Sequence, residues 1–115
     1  MSAMSRMSFR SNTEIAIHVA SLSKAVAFYV GVLGFRLISR TEEQLEIDTG
    51  KLRLYVNRDE ESTRTYIPSF DVASYEAARK HLEAAGCVTA SAGEHSSAVY
   101  FQDPFGFVFD IVERK

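Results

Sequence analysis

The sequence predicts an α+β fold: two βαβββ modules forming a cup-shaped mixed sheet with helices on the outside. Three observations predict it. The order strand, helix, three strands is legible twice in 115 residues, a length that suits one domain with a real core. The triplet Val19-Ala20-Ser21 returns as Val72-Ala73-Ser74, an offset of 53 residues, and both copies stand where a strand gives way to a helix. Residues 99–113 are two apolar runs broken at Asp103-Pro104-Phe105-Gly106. That break is hairpin chemistry, because proline presets its own φ and glycine accepts a positive one.

Taken in order, residues 1–12 are rich in Ser and Met, hold two arginines and lack an apolar run; they read as a mobile leader before a single domain at 13–115. Glu14 to Val19 alternates, which is a strand with Ile15, Ile17 and Val19 on one face and Glu14, Ala16 and His18 on the other. Ser21 is an N-cap candidate, and Leu22, Ala25, Val26, Tyr29, Val30 and Leu33 recur at helical steps. Gly31 weakens the last turn and Gly34 suits the C-cap. Three strands follow at 35–40, 44–48 and 51–57, with a turn at Thr49-Gly50. The first module is thus 13–57, the polar stretch 58–64 is a linker, and the second module is 65–113.

In the second module, Tyr66 to Val72 is a strand whose Pro68 requires an edge or a bulge. Ser74 caps a helix that carries Tyr75, Ala78, Leu82 and Ala85 on one face and ends at Gly86. Strands at 87–91, 98–102 and 107–113 complete it, with a small polar loop at 93–97 that holds His95.

Composition narrows the function. Hydrophobic content of 46%, charged content of 24% and a net charge of −2 describe a globular chain with no basic stripe for nucleic acid. No apolar run is long enough to span a membrane, and the default location is the cytoplasm. The lone Cys87 excludes an intrachain disulfide and reads as a packing residue.

Sidedness picks the candidate residues. If Ile15, Ile17 and Val19 meet the helix, then Glu14 and His18 look into the cup. Arg53 and Tyr55 share the cup-facing side of their strand, where an arginine can clamp a carboxylate or phosphate. Asp110 lies among Phe107, Val108, Phe109, Ile111 and Val112, and a carboxylate there needs a partner, a proton or water. The cup is expected to take a small molecule, with Glu14 and Asp110 favouring a cationic or amine-bearing guest.

Val19-x-x-Leu22, the run Ala25-Val26-Ala27-Phe28-Tyr29 with Leu33-Gly34-Phe35, and Asp103-Pro104-x-Gly106 with Asp110 behind it resemble the vicinal oxygen chelate superfamily. Glyoxalases, bleomycin resistance proteins, fosfomycin resistance enzymes and extradiol dioxygenases belong to it. The resemblance covers roughly residues 13–113. It implies paired βαβββ modules, a homodimer, and metal ligands on the first and last strand of each module. Those positions fall here on Glu14, Tyr55, Ile67 and Asp110, where the family prefers His, Glu or Gln. Ile67 cannot coordinate, so no dedicated metal site and no cofactor are expected. In the resembling fosfomycin enzymes a tyrosine at the place of Tyr100 faces the ligand, which adds Tyr100 to the candidates. The resemblance therefore points to a metal-independent binder like the bleomycin resistance proteins. The alternative is a divalent-metal-dependent lyase or dioxygenase that uses Glu14 and Asp110.

Overall fold

A computed structural model describes residues 7–61, 64–90 and 100–114, so the expected loop at 93–97 and His95 lie outside the described residues. The chain divides into two compact units, Thr13–Ile67 and a second one formed by Pro68–Lys115 together with Met1–Asn12.

The first unit holds β1 (Arg10–Val19, its last seven residues), α1 (Leu22–Ala25), β2 (Arg36–Arg40), β3 (Gln44–Asp48) and β4 (Arg53–Arg58). Its strands lie in the order β2-β3-β4-β1, with β1 parallel to β4 and the other pairs antiparallel. Ser21 caps α1 as expected, its Oγ accepting from the Lys24 N–H at 3.2 Å. From Val26 to Val32 the helix continues in wider, π-type turns. Near its end the Leu33 N–H reaches the Phe28 carbonyl at 2.9 Å, and the Phe35 N–H reaches Tyr29 at 3.0 Å. Gly34 then takes φ +77, a left-handed conformation that glycine adopts without strain. Leu45, Ile47, Leu54 and Val56 pack with Ile17, Leu22 and Ala25, so the helix covers the predicted face. Ile15 and Val19 join this core from its margin. On β2 the register slips between Leu37 and Ser39, so Ile38 is an extra residue, a bulge that turns its side chain outward.

The second unit holds β5 (Ile67–Val72, from Pro68 on), α2 (Tyr75–Ala84), β6 (Val88–Ala90), β7 (Tyr100–Gln102) and β8 (Val108–Glu113). Its strand order β5-β8-β7-β6 repeats that of the first unit, again with the first and last strands parallel. The ladder between β5 and β8 begins at Ser69, one residue beyond Pro68, which has no N–H to give. Ser74 caps α2 through the Ala77 N–H, and Gly86 ends the turn at φ +99. Phe101, Val72, Ala78, Leu82, Cys87 and Ile111 form its core. At the hairpin, Asp103 Oδ1 accepts from the N–H groups of Phe105 and Phe107, at 2.8 and 3.0 Å.

One expectation needs correction. Residues 7–12 are not a loose leader: β1 starts at Arg10, and Met7 and Phe9 pack against the second core. Asn12 Nδ2 also donates to Ser69 Oγ and Asp71 Oδ1, at 3.0 and 2.8 Å. Two half-buried apolar side chains tie down a segment whose Ser-rich composition hid them.

Candidate functional site

The face of the first unit opposite the helix carries a polar lattice set by strand register. Arg36 pairs with Asp48, Asp48 with Arg53, and Arg53 with Glu14, so signs alternate across four strands. Arg36 Nη2 donates to Asp48 Oδ2 at 3.0 Å. Arg53 Nη1 donates to Glu46, two residues from Asp48 along β3. This bond with Glu46 holds the guanidinium above its ordinary value, against its partial desolvation.

Three of the six predicted residues meet here. Glu14, Arg53 and Tyr55 line one hollow of about 330 Å³, together with Asp48 and Lys51. The reading of the sequence missed Asp48 and Lys51. Asp48 was legible by parity, since it faces Arg53 across the Thr49-Gly50 turn. His18 lies on the same face, four residues beyond Glu14 on β1, and is buried, with Nδ1 3.1 Å from Asp59 Oδ2. A carboxylate only accepts, so the imidazole N–H donates.

Tyr100 and Asp110 belong to the second unit and stand directly across from each other on β7 and β8. Ser69 faces Asp110 from the other side, as Ala16 faces Tyr55 in the first unit. Tyr55 and Asp110 therefore occupy equivalent places in the two repeats. Tyr100 is buried, while Phe101 and Phe109, on the other face, belong to the core under α2. The Cys87 thiol is pushed up by burial and then by Asp103, which makes it a poor nucleophile and fits a packing role. His81, on α2, is half-buried, with its ring 6.2 Å from that of Phe9.

Asp48 gives this face a pH dependence. The Gly50 N–H, and then Arg36, hold its carboxyl below the ordinary 3.8. A lowered native value adds stability that is complete above 3.8 and is lost as pH falls through the native value. Asp48→Asn should therefore flatten the acid limb: between about pH 5 and about pH 3 the urea midpoint of the variant should fall less than that of the parent. An equal fall in both would show that Asp48 adds nothing.

The sequence profile of the Glyoxalase/Bleomycin resistance protein/Dioxygenase superfamily matches residues 13–111. No curated protein gives a significant match. Among solved structures, a hypothetical protein from Bacillus halodurans C-125 is 17% identical, with 96% of each chain covered and a TM-score of 0.65. An extradiol ring-cleaving dioxygenase from B. fuscum is 19% identical over 95% of this chain and 34% of its own, with a TM-score of 0.69. Homoprotocatechuate 2,3-dioxygenase from Brevibacterium fuscum, solved with 3,4-dihydroxyphenylacetate, is 19% identical over 95% of this chain and 38% of its own, at TM-score 0.70. The chain thus spans about a third of the dioxygenases' length, and the likeness to all three is one of fold.

Proposed function

Because the chain belongs to the Glyoxalase/Bleomycin resistance protein/Dioxygenase superfamily, we propose that it binds a small amine-bearing molecule and holds it without a metal. The observation that carries this reading is the hollow shared by Glu14, Arg53 and Tyr55. Glu14 and Asp48 bring carboxylates to its wall, Lys51 and Arg53 bring cations, and Tyr55 brings a ring. Such a mixture suits a guest with a cationic amine and a second polar group. In the second unit, Asp110 stands on β8 at the place of Tyr55, with Tyr100 beside it on β7 at the place of Glu46.

The donor set does not suit a divalent ion. A catalytic ion ordinarily takes three protein ligands. Here Ile67 stands at one family position as a buried hydrocarbon. Glu14 and Asp48 are the two carboxylates on this wall, and Asp48 already accepts from Arg36 and from the Gly50 N–H, so the wall does not supply the three protein ligands that a catalytic ion takes.

A homodimer in the cytoplasm completes the proposal. The dimer rests on family analogy, and light scattering should return twice the 12.9 kDa of one chain.

Thermal melts with small primary amines, set against their N-acetylated forms, test the binding. At a hundredfold excess over Kd a ligand adds about 2.7 kcal/mol, which should raise Tm by about 10 °C. Glu14→Gln should abolish the rise. The outcome that overturns the reading is a stoichiometric metal in protein purified without chelator, lost in Asp110→Ala. That result would favour the divalent-metal-dependent lyase or dioxygenase.

A further inference from the structure

A second hollow, of about 720 Å³, opens at the far end of the same strands. Its walls include Ser21, Ser23, Arg40, Thr41, Glu42 and Arg58. Register explains why two arginines meet there. Arg40 ends β2 opposite Leu45, and Arg58 ends β4 opposite Val19. Both thus stand at strand ends on the face that carries Leu45 and Val56, the face the helix covers. This is the reverse side of the sheet from the hollow of Glu14 and Arg53.

We propose that this hollow binds a phosphate-class oxyanion. Arg40 donates from Nη2 to the neutral Ser23 hydroxyl at 3.1 Å, and no carboxylate among the described residues pairs with it. Arg58 gives Nη2 to Glu43 at 2.5 Å. A guanidinium carries five N–H donors in a planar fork, so most of those on Arg58 remain to be given. Ser21 Oγ accepts from the Lys24 N–H at 3.2 Å, which leaves its own proton for an acceptor. Two forked cations and a hydroxyl donor around one opening match the several acceptor oxygens of a phosphate. Glu42 stands on the same wall and opposes anion entry, which makes it a control of opposite sign.

Phosphorus NMR of inorganic phosphate, titrated with the protein at constant ionic strength in chloride, reads the site. The phosphate line should broaden with the parent protein. Arg40→Gln and Arg58→Gln should each weaken binding by about ten-fold, and Glu42→Gln should strengthen it by about three-fold. Glycerol 3-phosphate in the same titration separates the sources: tighter binding indicates a phosphorylated small molecule, equal binding the free anion, and either upholds the site. No broadening overturns the proposal. So does broadening unchanged in either arginine variant whose circular dichroism matches the parent.

Discussion

Phe101→Ala is expected to destabilise the protein by about 3–5 kcal/mol, the largest effect of any single substitution considered. Phe101 is 0% exposed on β7, beneath α2, with its ring 6.1 Å from that of Phe109 and 6.4 Å from that of Tyr75. Truncation removes the transfer energy of the ring and leaves a cavity that Val72, Ala78 and Leu82 can only partly close. A domain of this class has about 5–15 kcal/mol in total, so the variant should sit near the edge of folding. The urea midpoint should drop by about 2 M. Phe105→Ala is the matched control: Phe105 is 84% exposed at the hairpin tip, and its loss should stay within about 0.5 kcal/mol. A Phe101→Ala cost no larger than that of Phe105→Ala would mean that the second core is not assembled as described.

Asp59→Ala should cost about 1–3 kcal/mol through a different mechanism. His18 is buried on β1, and removing the Asp59 carboxylate 3.1 Å away deprives its ring N–H of an acceptor in a place where water is scarce. The double variant His18→Leu with Asp59→Ala should recover part of the loss, because an apolar side chain makes no such demand. A thermodynamic cycle over the four proteins isolates the coupling, expected at about 1 kcal/mol or more. Strictly additive costs would show that the contact contributes nothing. Asp59 also ties its own backbone N–H to the Val19 carbonyl at 2.8 Å. That bond survives the substitution, and the bond that Asp59 Oδ1 accepts from the Glu61 N–H is lost with or without His18, so it cancels in the cycle.

The features legible in the sequence are those that depend on one residue and its near neighbours. Ser21 and Ser74 are caps because a hydroxyl three residues before an N–H needs no tertiary help. Gly34, Gly86 and Gly106 mark positive φ for an equally local reason. Period-two alternation placed Ile17 and His18 on opposite faces of β1, and the packing agrees. What stayed hidden depends on partners distant in sequence. The wide turns after Ala25 arise on a segment whose apolar spacing also fits an ordinary helix. Met7 and Phe9 find their core far along the chain, against the cluster of Val72, Ala78, Leu82 and Phe101. At the candidate site, strand parity was enough to put Glu14, Arg53 and Tyr55 on one wall, but it could not see that Glu46 takes a hydrogen bond from Arg53. That bond depends on the pairing of β3 with β4, which periodicity alone leaves open.

The extra residue on β2 bears on how the molecule tolerates crowding. β2 is the outermost strand of its group, and an outermost strand offers bare N–H and carbonyl groups to any extended chain that drifts alongside. The kink at Ile38 breaks the straight run such a visitor would need, and Arg36 and Arg40 place a positive charge at each end of the strand. Deleting Ile38 would leave an unbroken four-residue edge, a straighter template for the addition of a foreign strand.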